Sequence, residues 1–146
     1  MGKSYYSTVF DAPASVVWAA ARDFNGLATW FAGSVSVSAI EDGKTGESVN
    51  AVRNFLFGET RIRERMVALS DVERTYTYEF CEPAPFPVKN YLATLRVTPI
   101  TDGDKAFVEW WTTFDCPEDQ LEHWTCAFAR DVFAPALTSL RAYVNG

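Results

Sequence analysis

From Ser34 to Asp115 the chain consists of short runs rich in Val, Ile, Thr, Tyr and Phe separated by turn residues. Only one segment beyond them is long enough to lie across the sheet they would form. Turn signals at Glu41-Asp42-Gly43-Lys44, Phe57-Gly58, Ser70-Asp71, Pro83 to Pro87 and Asp102-Gly103 divide this stretch into six strands. Ser4–Phe10 adds one strand ahead of them. Between that strand and the rest, Pro13 is suited to open a helix, and Val16–Arg22 continues it. Asp23-Phe24-Asn25-Gly26 ends the helix, and Leu27–Phe31 forms a second short helical turn. At the other end, Pro117-Glu118-Asp119 places acids in a first turn, where the helix dipole favours them. The helix then runs to about Val144, with Leu121, Phe128, Val132, Ala136, Leu140 and Tyr143 on its apolar face. Pro135 is expected to kink it. An antiparallel sheet must bury its apolar face, and this last helix is the only element that can cover it. The expectation is an α+β fold: a curved, seven-stranded antiparallel sheet around one long C-terminal helix, with two short helices after the first strand. No repeat or linker divides the chain, so residues 1–146 read as one domain.

Composition narrows what such a fold could do. With 48% apolar and 22% charged residues, the chain can form a core and is not disordered. Thirteen basic against nineteen acidic residues leave a net charge of −6, which argues against nucleic acid and anionic membranes as partners. No stretch approaches the roughly 20 apolar residues of a membrane span, and Met1–Tyr6 lacks a leader's apolar run. Cys81, Cys116 and Cys126 are odd in number and lack ligand spacing, which disfavours disulfides and zinc and points to a reducing cytoplasm. Cys81 and Cys126 read as buried, small apolar groups. His123 is the only histidine, too few for a histidine metal site or a supported triad, and reads as a partly exposed helix residue. No glycine-rich phosphate loop is present, so no cofactor is expected. Aromatics reach 15%, enough to fill a core or to line a cavity, and composition does not separate the two.

Turn positions and charge pairs set the register. A turn centred on Asp102-Gly103 places Arg96 opposite Glu109 on the outer face, with Leu95 opposite Trp110, Ala93 opposite Thr112 and Tyr91 opposite Phe114 inside. A turn centred on Val72 pairs Arg65 with Glu79 outside, and Met66 with Tyr78 and Glu64 with Phe80 inside. A turn centred on Phe57-Gly58 sets Ala51 opposite Glu64, with Arg53 one diagonal away on the same face. The inner face then carries Val49, Ala51, Arg53, Ile62, Glu64, Met66, Tyr76, Tyr78, Phe80, Tyr91, Leu95, Trp110 and Phe114. Arg61, Arg63 and Arg65 alternate on the outer face, paired or solvated.

Glu64 stands out because a carboxylate on an apolar face should be harder to ionise than usual. That suits a general acid or base. It equally suits a structural ion pair with Arg53, which would hold it ionised. Tyr76, Tyr78 and Tyr91 could hydrogen-bond a ligand or satisfy their hydroxyls within the core. Trp18 and Trp30 read as pins for the short helices, and Trp30-Phe31 as a conceivable lid.

The run Val17-Trp18, Asp23-Phe24-Asn25-Gly26-Leu27 and Trp30 resembles the opening of the START-like polyketide cyclase/dehydrase superfamily. The resemblance continues through Gly46, Arg53, Gly58-Glu59, Ile62-Arg63-Glu64-Arg65, Asp71, Tyr76-Thr77-Tyr78, Pro87-Val88-Lys89-Asn90-Tyr91 and Val108-Glu109-Trp110. It implies the helix-grip fold of the birch-pollen allergen and a cavity for lipids, hormones, polyketides or other apolar molecules. Some members catalyse cyclisation, dehydration or condensation; others carry or sense a ligand.

Two functions follow as expectations. In the first, a small, mainly apolar molecule binds between sheet and helix. Tyr76, Tyr78 and Tyr91 orient its polar groups, and Glu64 with Arg53 anchors or polarises one. Phe80, Leu95, Trp110, Phe128 and Val132 supply the walls. In the second, the chain is a cyclase-, dehydratase- or lyase-type enzyme in which Glu64 moves a proton. A third reading, a partner-binding module with a filled core, predicts an exposed apolar patch instead.

Overall fold

The computed structural model describes all 146 residues. The strands are β1 (Gly2–Phe10), β2 (Val35–Ile40), β3 (Val52–Phe57), β4 (Thr60–Ser70), β5 (Thr75–Phe80), β6 (Lys89–Ile100) and β7 (Lys105–Asp115). Helices α1 (Ala14–Ala21) and α2 (Leu27–Trp30) follow β1. The strands pair in the order β1-β7-β6-β5-β4-β3-β2, antiparallel throughout, so the first strand closes against the last and β2 forms the far edge.

The registers hold where turn and charge pair agree. Arg96 faces Glu109, Leu95 faces Trp110 and Ala93 faces Thr112 as expected. Tyr91 departs, because Asn90 at φ +55° sits in an irregularity between Lys89 and Leu92 that interrupts its pairing with Phe114. Arg65 faces Glu79, Met66 faces Tyr78 and Glu64 faces Phe80, and a bulge between Met66 and Ala68 then shifts the rest of the hairpin by one residue. The β3–β4 hairpin is offset by two residues from expectation: Arg53, not Ala51, stands opposite Glu64. The reason is Gly58, which at φ +61° takes the first of the two turn positions, between the paired residues Phe57 and Thr60. A two-residue offset preserves which face each side chain takes. Val49 lies outside the strands and is exposed, so it leaves the inner face. Phe55, 3% exposed, joins the core instead.

The C-terminal helical stretch begins with a 3₁₀ turn (Glu118–Gln120) and continues as α3 (Leu121–Ala127), a π-helical segment (Phe128–Phe133) and α4 (Ala134–Asn145). Pro135 is accommodated by this widening. The Ala134 amide donates to the Ala129 carbonyl, five residues back, and Pro135, which has no amide to donate, follows at the start of α4. The buried face therefore includes Phe133 and Leu137, both fully buried, while Tyr143 is half exposed, against the sequence reading. Cys126 is also exposed rather than buried, and His123 is exposed. No helix is long and apolar enough to cross a membrane.

The short helices are tied down by polar contacts. Trp18 Nε1 donates to Asp71 in the β4–β5 turn at 2.8 Å, and Arg22 bonds both Asp71 oxygens and Glu47. Ser139 of α4 donates to the Trp30 carbonyl. These bonds hold α1 and α2 across one end of the sheet.

Candidate ligand cavity

Between the inner face of β3 to β7 and the helical stretch from Phe128 to Ala136 lies a cavity of about 40 Å³. Sixteen residues line it, and fourteen are hydrophobic. The two that are not, Arg53 and Glu64, are joined to each other. Arg53 Nε donates to Glu64 Oε1 at 2.7 Å, with side chains 1% and 7% exposed.

The local chain explains this pair. β3 and β4 alternate in and out, so their inward positions fall on Arg53, Phe55, Ile62, Glu64 and Met66. The hairpin then sets the two charges directly across from one another. The guanidinium lies 4.2 Å from the Phe24 ring centroid and 4.7 Å from that of Tyr78, and it donates weakly to the Phe24 carbonyl at 3.4 Å. Its cationic form is favoured chiefly by Glu64, against the cost of burial. Burial pushes the Glu64 carboxyl above its usual range; the charge and hydrogen bond of Arg53 pull it back without cancelling the rise. No donor other than Arg53 reaches this carboxylate.

The tyrosines divide. Tyr78 lines the cavity, and Trp110 Nε1 donates to its hydroxyl at 3.1 Å, so the Tyr78 hydrogen can turn to the neighbouring Tyr91 or to the cavity. Tyr91 lines it as well, stacked on Phe80 with centroids 4.0 Å apart. Burial raises the pKa of both phenols, so both are neutral hydroxyls. Tyr76 is packed behind the wall, against Trp18, Phe24 and Tyr78. Its hydroxyl has no hydrogen-bond partner and does not face the cavity.

Of the residues singled out from sequence, Arg53, Glu64, Tyr78, Phe80, Tyr91, Trp110, Phe128 and Val132 therefore converge on one space. Tyr76 and Leu95 do not: both are buried on the correct face but lie outside the lining. Ile62, Ala136 and Phe31 join them from the expected inner face, helix face and cavity mouth, whereas Leu27, Val35, Phe55, Phe57 and Phe86 carry no such expectation. Leu27, Phe31 and Val35 close one end, Phe55 and Phe57 come from β3, Phe86 from the β5–β6 loop and Ala136 from α4. Phe55 and Phe57 follow from Arg53 by simple alternation. Phe86 carried only a weak signal, as the lone aromatic between Pro85 and Pro87. No three His, Cys, Asp or Glu side chains converge as a metal site would require.

The comparisons agree with this architecture. Solved structures of similar fold include a Thermobifida fusca protein, 29% identical with a TM-score of 0.87, the match covering 99% of this chain and 94% of that one. XoxI from Bacillus cereus is 29% identical with a TM-score of 0.84 over 99% and 96% of the two chains. Norcoclaurine synthase from Thalictrum flavum, solved with dopamine and hydroxybenzaldehyde, is 15% identical with a TM-score of 0.77 over 98% and 86%. That last likeness is one of fold alone, the helix-grip fold of the birch-pollen allergen type. No curated protein matches the sequence. Residues 1–145 match the family described as polyketide cyclase/dehydrase and lipid transport, and the chain belongs to that family.

Proposed function

We propose that this chain binds a small, neutral, mainly aromatic molecule carrying a hydrogen-bond donor, held between the inner sheet face and the C-terminal helix. The observation that carries this reading is the pairing of the cavity's only two charged side chains with each other. Arg53 already holds Glu64, and aromatic rings cover it, so it has little to offer an anion. Glu64 can accept further hydrogen bonds, its second oxygen having no donor, and Tyr78 can give one. Everything else in the wall is apolar or aromatic. A neutral phenol or amide satisfies both polar groups; a carboxylate would meet Glu64 with like charge.

A second reading has one specific observation in its favour. Glu64 combines an upward-shifted carboxyl with an accepting oxygen facing the cavity, as a proton-moving residue in a cyclase or dehydratase would. In that case Glu64→Gln leaves affinity nearly intact and abolishes turnover. In a carrier it weakens binding, with no turnover to lose.

Native mass spectrometry of freshly purified protein, against the denatured mass, tests for a retained ligand. Titration with 2-naphthol and 2-naphthoate then compares one shape in neutral and anionic form. At least tenfold tighter binding of 2-naphthol, about 1.4 kcal/mol, is expected. Equal or tighter binding of the carboxylate would overturn the proposal.

A further inference from the structure

The cavity is too small for the ligands that its lining fits. An engineered apolar cavity of roughly 150 Å³ takes benzene, whereas this one measures about 40 Å³. A ring must leave the wall before a ring can enter. We propose that this ring is Phe86: the β5–β6 loop lifts it out of the cavity to admit ligand, and its bulk sets the size of molecule accepted. The inference rests on the ligand site proposed above.

Almost every other lining residue is held by a strand or helix. Phe86 and Phe31 are the two outside such elements. Phe31 is 6% exposed; its amide bonds the Leu27 carbonyl, and its own carbonyl accepts from Ser34 and Val35. Phe86 is half-buried in a loop with little backbone support. Pro83, Pro85 and Pro87 have no amide to donate. The bonds made by residues 82–87 are local: the Ala84 amide to Glu82 Oε2 at 3.2 Å, and the Val88 amide to the Phe86 carbonyl at 2.8 Å. The Cys81 amide, bonded to the Arg63 carbonyl, marks where the loop leaves the sheet.

What holds Phe86 down is ring contact, with centroids 5.9 Å from Phe80, 5.7 Å from Trp124 and 5.5 Å from Phe128. These contacts are apolar and non-directional, so they break without stranding a buried polar group. The same loop borders a groove of about 160 Å³, lined in part by Glu82, Ala84 and Val88, which shares Phe80 and Tyr91 with the cavity. The loop therefore has free space beside it.

Stopped-flow mixing with 2-naphthol tests the idea on wild type, Phe86→Ala and Phe86→Trp. Binding that waits on a conformational change is slow to associate. Phe86→Ala should raise the association rate constant about tenfold or more and extend binding to larger phenols, while Phe86→Trp should lower the rate several-fold. Leu140→Ala, in the core but outside the cavity lining, should leave the rate near that of wild type. If wild type binds but neither Phe86 variant changes the rate, the gate is overturned and the site stands. Acceleration by Leu140→Ala in place of Phe86→Ala also overturns it. If neither wild type nor Phe86→Ala binds 2-naphthol, site and gate fail together.

Discussion

Arg53 and Glu64 face each other directly across β3 and β4, 2.7 Å apart and almost sealed from solvent. Breaking a buried pair by removing one partner strands the other charge. Arg53→Met should therefore cost about 3–5 kcal/mol at neutral pH, whereas Arg53→Met with Glu64→Leu should recover most of that loss. Urea denaturation of the two single variants and the double variant checks this. A double variant as unstable as Arg53→Met alone would mean that the site tolerates no apolar replacement.

Two glutamates should shape the pH dependence of stability in opposite senses. Burial raises Glu64 in the folded state, so its contribution is complete below the ordinary carboxylate pKa and is lost as pH rises through the folded value. Glu64→Gln should flatten the decline in stability that sets in as pH rises above the ordinary carboxylate value. Glu41 behaves conversely. Hydrogen bonds from Arg63, then from Asn54, hold its carboxyl at about 2, below the ordinary 4.5. Its contribution is present above that ordinary value and is lost as pH falls toward about 2. For this partly exposed pair the contribution is about 1 kcal/mol or less. Urea midpoints of Glu41→Gln and Glu64→Gln across pH should show the two slopes weakening at opposite ends.

The faces of the sheet were legible in the sequence because side chains alternate with a period of two, and charge pairs such as Arg96–Glu109 and Arg65–Glu79 anchored them. Alternation tells which face a residue takes, not how deep it sits. That is why Tyr76 and Leu95 were placed inward correctly yet lie outside the cavity lining. Register failed where one residue's backbone decided it, at Gly58, Asn90 and the bulge after Met66. In the helix, Pro135 was visible as an interruption, but not its resolution into a π-helical segment that leaves Phe133 in the core. Phe86 escaped because a loop residue has no period, so only tertiary packing reveals what it covers.

Gly58 offers a direct test of the register argument. Its φ of +61° lies in the left-handed region, and a Cβ there would meet no atom within 4 Å. The cost of Gly58→Ala is then backbone strain alone, about 1–2 kcal/mol. The hairpin should keep its pairing, because a one-residue slip would turn Arg53 and Glu64 outward and a two-residue slip would part them. A loss well beyond that range, or altered β3–β4 pairing by NMR, would show that Arg53–Glu64 cannot hold the register without the glycine.

Phe133 separates support of the cavity wall from its opening. It is fully buried behind Trp110, their rings stacked with centroids 5.0 Å apart and an interplanar angle of 15°. It does not line the cavity. Phe133→Ala should cost about 3–5 kcal/mol through lost burial and the void left behind. Trp110 also donates to Tyr78, so the loosened indole should change its fluorescence and weaken 2-naphthol binding through faster release. The association rate should nevertheless stay close to wild type, because Phe86 still closes the entrance. Were Phe133→Ala to accelerate entry as much as Phe86→Ala, any loosening of the aromatic packing would open the cavity, and the β5–β6 loop would hold no special place in admitting ligand.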